Sequence, residues 1–198
     1  MSGRVDEEMK TSAEEAAEEK APVTETSRFC GEDVREILLR NGWLAGEKDG
    51  GEQEALNAWL ERAVTLLGPQ AKAAEELEEL LRLIFDYDAA RTVADRNNQD
   101  VLAREGAREV IRELANRVLE SGDVDSDRFK EIVEEMKQAT PYRSRELFQP
   151  IRVALAGRAG GGELDRVILL LDAAAKLEFA AAVKSTRQRI LEFCATFE

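Results

Sequence analysis

The chain has 198 residues, 43% of them hydrophobic and 6% aromatic, enough to enclose the core of one medium domain or two small ones. It contains no histidine and two cysteines, which excludes Ser-His and Cys-His nucleophile pairs, His-bearing zinc sites and Cys₄ sites. The net charge of −13 is uneven: residues 1–27 hold eight acids and three bases, residues 28–138 carry −10, and residues 139–198 hold nine bases against seven acids. A uniform −13 would repel nucleic acid, whereas this distribution leaves an anion-tolerant surface at the C-terminal end.

No run reaches 18 uninterrupted apolar residues, so no membrane span is expected. The polar, acidic N-terminus has no apolar stretch of the kind a secretory signal carries. Cys30 and Cys194 lie far apart in sequence, and a reduced, cytoplasmic protein is the simpler expectation. No motif calls for a cofactor or a metal.

Residues 1–27 are low in complexity and poor in large apolar side chains, and read as a disordered acidic tail. The folded domain is expected over 28–198, with a subdivision near 97 or 140 left open. Val34, Ile37 and Leu38 fall at helical spacing and predict a helix over 33–42, with Gly42 at its C-terminal end. Residues 46–51 read as a loop. Leu56, Trp59, Leu60, Ala63, Leu66 and Leu67 form one broad stripe that predicts a helix over 52–67, stopped by Gly68-Pro69. Leu77, Leu80, Leu81, Ile84 and Phe85 carry a third helix from about 70 to 87 or beyond.

Asn97-Asn98 reads as the cap of a fourth helix over 99–120, with Val101, Leu102, Val110, Ile111, Leu114, Val118 and Leu119 turned inward. Asp125 or Ser126 caps a fifth, to about 138, and Thr140-Pro141-Tyr142 is a turn. Residues 143–157 are helical, with Pro150 kinking that helix or opening a separate one. After the Gly160-Gly161-Gly162 loop come two helices over 163–174 and 177–195. No alternation of period two occurs, so the fold expected is all-α: a bundle of about seven to eight helices.

The segment Leu147–Leu171 contains Pro150-Ile151-Arg152-Val153-Ala154-Leu155-Ala156-Gly157, then a glycine-bearing loop, then a helix opening with Glu163-Leu164 and ending in a leucine-rich run. This resembles the anticodon-binding region of bacterial-type glutamyl-tRNA synthetases, whose pattern is Pro-[Leu/Ile]-Arg-Val-Ala-Leu-[Thr/Ala]-Gly. Leu56–Tyr87 resembles the helix pair that follows the catalytic half in that family, and residues 127–140 stand where its short preceding helix stands. The resemblance implies a helical, tRNA-binding domain without the catalytic half. The family's His-Ile-Gly-His-type motif, Lys-Met-Ser-Lys-Ser-type loop and nucleotide-binding fold have no counterpart in this chain, so no enzymatic activity is expected. Ala156 stands where the family often has threonine.

Six residues form the candidate RNA-binding set: Tyr142, Arg143, Arg145, Arg152, Arg158 and Arg166. Tyr142, Arg143 and Arg145 make a basic-aromatic cluster suited to stacking on an unpaired base and meeting phosphates; the alternative is a solvated turn. Arg152, on an apolar segment, either contacts RNA or holds a carboxylate between helices. The Gly157–Gly162 loop precedes a helix N-terminus but ends in Gly-Glu-Leu where a phosphate loop has Gly-Lys-[Ser/Thr], so it reads as a flexible interhelical loop. Trp59 is expected in the core, and Trp43 as a capping contact or an exposed anchor.

Two functions compete. One is a non-catalytic domain that binds the anticodon arm of a tRNA and assists aminoacylation in trans, with a synthetase catalytic subunit as a protein partner. The other is a helical protein-interaction module derived from that domain that no longer binds RNA. Neither involves DNA or a membrane.

Overall fold

The computed structural model describes residues 28–46, 50–122 and 124–197. The acidic tail and residues 47–49 of the expected 46–51 loop therefore lie outside the described residues, while 50 and 51 already belong to a helix. Ten α-helices and one 3-10 turn, with no strand, make up the described chain, somewhat more helices than the periodicity predicts.

Helix α1 (Gly31–Arg40) buries Val34, Ile37 and Leu38, and its first turn is closed by Asp33, whose carboxylate accepts the Cys30 amide at 2.7 Å. Asn41 follows its last turn, Gly42 takes the left-handed conformation at φ +69°, and the Trp43 amide returns to the Leu38 carbonyl at 2.9 Å. Trp43 is thus a capping contact, and its ring is buried, stacked on Phe85 at 4.8 Å. Helix α2 (Gly50–Leu67) buries the predicted stripe except Leu66, which is half-buried, and Gly68–Gln70 ends it as a 3-10 turn. Trp59 lies in the core as expected, edge-on to Phe179 at 5.2 Å.

Helix α3 (Ala74–Phe85) is shorter than its periodicity suggests. Asp88 caps a separate α4 (Ala89–Ala94), and Asp95 caps α5 (Arg96–Leu102) by accepting the Asn97 and Asn98 amides. The long fourth helix is broken: α5 stops at Leu102 and α6 (Ala107–Glu120) restarts after Gly106, at φ +86°. Asn98 is therefore not a cap; it is buried inside α5 at 1% exposure. Helix α7 (Ser126–Ala139) starts at Asp125 as predicted. Helix α8 (Ser144–Ala156) runs through Pro150 as one element, and α9 (Glu163–Ala175) follows the glycine loop.

The last expected helix, 177–195, starts nine residues late. Residues 177–185 are irregular, and only α10 (Thr186–Phe197) is helical. Tertiary contacts win over local propensity here. The Ala180 amide donates to the Trp43 carbonyl at 2.8 Å, and Phe179 enters the ring cluster of Trp59 and Phe85. Asp172 on α9 then accepts both the amide and the hydroxyl of Thr186, which starts α10.

One hydrophobic core extends from Val34 to Phe193. Helix α2 packs on α1 and α9, while α8 lies between α6 and α9 with α10 against it. That central place gives α8 seven buried residues, and its exposed residues, Ser144, Arg145 and Glu146, are in its first turn.

Candidate nucleic-acid interface

The entrance to α8 is built by the Thr140–Arg145 turn. Thr140 ends α7, its hydroxyl donating to the Met136 carbonyl at 2.9 Å. Pro141 turns the chain, and Tyr142 lies flat over Gly106 with its hydroxyl donating to Glu109 at 2.9 Å. The Glu109 bond, reinforced by partial burial, raises the phenol above its usual pKa. One ring face is thus committed to the protein. Arg143 donates to the Thr140 and Tyr142 carbonyls at 2.6 and 2.7 Å, which holds the turn closed. Ser144 sits at φ +43°, a conformation that L-residues other than glycine adopt at a cost. Arg145 is exposed on the first turn of α8.

At the other end of α8, Gly157 at φ +83° terminates the helix. Arg152, one turn earlier, makes a two-pronged pair with Asp165 of α9, at 2.7 and 2.6 Å, and donates to the Gly160 carbonyl at 3.1 Å. Its guanidinium also lies 5.4 Å from the Phe148 ring centre. Arg152 therefore holds a carboxylate between two helices. The loop it touches is tied down rather than loose: the Gly161 amide donates to Glu163 at 2.9 Å, and Asn98 bonds to the loop's first half. Glu163 occupies the positive end of α9, leaving no phosphate cradle there. Arg158 projects from this loop, half-buried, and Arg166 is exposed on α9.

The six predicted residues thus divide. Tyr142, Arg143 and Arg145 sit at the start of α8, and Arg152, Arg158 and Arg166 surround its end. At 1.5 Å of rise per residue the two ends of α8 are about 20 Å apart, so the six residues do not meet at one point. Among the described residues, Arg143, Arg145, Arg158 and Arg166 form no ion pair with a carboxylate; in the acidic stretch Arg35, Arg40, Arg82, Arg117 and Arg128 are paired, while Arg62, Arg91, Arg96, Arg104, Arg108 and Arg112 are not.

Sequence reasoning missed Asn98 and Arg189. Asn98 resembled a cap because asparagine favours that place. Arg189, beside Arg187 and Gln188, carries no local sequence signal of burial, yet it is fully buried.

Comparison with known proteins covers this region. The model of the anticodon binding domain matches residues 32–178, from α1 through the end of α9. The glutamate–tRNA ligase of Bacillus licheniformis is 31% identical over 134 residues, which is 68% of this chain and 26% of that protein. That of Oceanobacillus iheyensis is 28% identical over 134 residues, again 68% and 26%. That of Bacillus thuringiensis is 31% identical over 142 residues, 70% of this chain and 28% of the relative. The chain thus spans about a quarter of the length of these relatives. No solved structure gives a significant match. The family match covers both ends of α8 and the loop that Arg152 and Asn98 hold, and on it the chain belongs to the anticodon binding domain family.

Proposed function

We propose that this chain binds the anticodon arm of a tRNA without catalysing aminoacylation itself, and lends that affinity in trans to a partner enzyme. The observation that carries the proposal is that Arg143, Arg145, Arg158 and Arg166, grouped around the two ends of α8 in the matched region, have no carboxylate partner among the described residues and lie in the one stretch, 139–198, where bases outnumber acids. Guanidinium groups already neutralised by carboxylates have little to offer a phosphate, whereas these four keep their charge uncompensated, Arg143 with one nitrogen engaged by backbone carbonyls. Tyr142 offers a ring beside the first two. Arg152 contributes by holding the loop that carries Arg158.

The test is a titration against a tRNA pool at two salt concentrations. Each phosphate contact removed should lower the slope of log K against log salt by about 0.7–0.9. Arg143→Ala/Arg145→Ala should thus flatten it by roughly 1.5 if both meet phosphate. Arg158→Ala, if it stacks on or reads a base, should cost about 1–3 kcal/mol and blur discrimination between anticodons. Arg152→Ala requires a stability control, because breaking its pair with Asp165 should cost about 2 kcal/mol of folding free energy. No binding by the wild type at ~50 mM salt, where electrostatic affinity is strongest, sinks the RNA reading.

That outcome would favour the second reading, a protein-interaction module. Its supporting observation is the net −10 over residues 28–138, which suits a basic partner. On either reading, ATP–pyrophosphate exchange with glutamate and tRNA should stay at background, and a signal that follows the pure protein would falsify the non-catalytic assignment.

A further inference from the structure

The side chain of Asn98 is saturated with hydrogen bonds. It is 1% exposed, and its amide nitrogen donates to the carbonyls of Thr92 at 2.9 Å and Gly157 at 3.0 Å. Its amide oxygen accepts the Ala159 N–H at 2.7 Å. Two of these three bonds span about sixty residues of sequence and land on either side of Arg158. The Thr92 bond anchors the amide in turn, and the Thr92 hydroxyl is itself tied to Asp88 at 2.7 Å. Gly157 fits this arrangement closely: a Cβ there would lie 3.3 Å from the Thr92 hydroxyl oxygen. On the far side of the loop, Arg152 holds the Gly160 carbonyl at 3.1 Å. Positions 157, 159 and 160 are therefore fixed by two elements, α5 and α8, and Arg158 is the residue between the fixed points.

We infer that Asn98 is a positioning residue for RNA binding, holding the Gly157–Ala159 backbone so that the Arg158 guanidinium is presented in one place before the nucleic acid arrives. The inference rests on the RNA reading proposed above. The physical reason is preorganisation. An arginine on an untethered glycine loop loses backbone and side-chain freedom on binding, whereas one on a clamped backbone loses only side-chain freedom. The amide of asparagine suits the place because it offers two donors and an acceptor on a short stem to two carbonyls and an N–H. The side chain is buried, so it acts on the RNA only through the loop.

Two measurements test this on the full chain. The first needs no RNA. Trypsin cleaves after arginine only where the backbone can open, so the Arg158–Ala159 bond should be cut slowly in the wild type. In Asn98→Ala it should be cut at least tenfold faster, with cleavage within helices α8 and α9 unchanged. If Asn98→Ala unfolds, all sites accelerate together; Asn98→Asp then carries the test. That variant keeps shape and acceptor but removes the donors to Thr92 and Gly157, and should show the same local acceleration. Unchanged cleavage at Arg158 in a folded variant overturns the clamp.

The second is a double-mutant cycle in tRNA affinity. If Asn98 acts through Arg158, Arg158→Ala should weaken the wild type by about tenfold and the Asn98→Ala protein by less than threefold. A full tenfold loss in both backgrounds means the two residues act independently, and overturns the inference. A wild type that binds no tRNA overturns the RNA reading and the role of Arg158 with it. The proteolysis result still reports on the clamp, so the two failures are distinguishable.

Discussion

Replacing Arg189 with alanine is expected to destabilise the protein by about 4 kcal/mol, the largest loss of any single substitution considered. The side chain is fully buried, and its donors meet carbonyls rather than a carboxylate. The Nε–H donates to Lys184 at 3.1 Å, Nη1 to Leu83 at 2.9 Å and Leu155 at 2.7 Å, and Nη2 to Ile84 at 2.5 Å. Leu83 and Ile84 are in the last turn of α3, and Leu155 is in the last turn of α8. Carbonyls there have no partner within their own helix and sit at the negative end of its dipole. One guanidinium thus satisfies the ends of two helices and lies 4.5 Å from the Tyr87 ring centre. The Tyr87 hydroxyl closes the same junction by donating to the Ala154 carbonyl at 2.6 Å.

Burial pushes the Arg189 pKa down to about 10, which leaves it charged at neutral pH. Removing the side chain leaves the Leu83, Ile84 and Leu155 carbonyls buried without that donor and opens a void beside Tyr87. For a chain of this size the loss corresponds to a drop of about 8–16 °C in thermal midpoint. Arg189→Lys should recover only part of it, because a compact ammonium with three donors cannot span the places a five-donor fork reaches. Arg189→Met restores apolar volume but no donor, and should stay near the alanine variant. An alanine variant within about 1 kcal/mol of wild type would mean water replaces the guanidinium cheaply, and the helix-end account would fail.

The contrast between Arg189 and Arg152 shows where sequence reading runs out. Arg152 sits in a stretch whose neighbours are all apolar, so a polar side chain there had to find a partner, and a carboxylate between helices was a legible alternative. Arg189 sits among Ser185, Arg187 and Gln188, a setting that looks solvated; its burial depends on how α3, α8 and α10 converge. Helix stripes were legible because burial repeats every 3.6 residues. The break at Gly106 was not. Leu102 and Val110 keep helical phase across it, so the periodicity runs through the gap, and a lone glycine does not by itself stop a helix. The stretch 177–185 failed for a different reason. Its alanines favour helix locally, but the pull of Phe179 into the Trp59–Phe85 cluster is a long-range effect. Asn98 misled because Asp95, three residues earlier, is an equally good cap and was the one used.

Gly106 links the fold to the interface, and Gly106→Ala is expected to cost about 3 kcal/mol. Two causes add. The residue is at φ +86°, where a Cβ is strained by about 1–2 kcal/mol. The new Cβ would also lie 2.2 Å from two ring carbons of Tyr142 and 2.6 Å from its oxygen, so the ring must leave. Moving it breaks the bond to Glu109 and removes one wall of a cavity of about 560 Å³, which Arg108, Arg112, Cys194 and Phe197 also line. The turn that carries Arg143 and Arg145 hangs on the same ring, so tRNA affinity should fall along with stability. A double-mutant cycle separates the causes. In a Tyr142→Ala background there is no ring to displace, and Gly106→Ala should then cost only the backbone strain, about 1–2 kcal/mol. Chemical denaturation of the four proteins gives both numbers. Equal costs in the two backgrounds would show that Tyr142 yields freely, and that the close approach of ring to glycine does not hold the Tyr142–Arg145 turn in place.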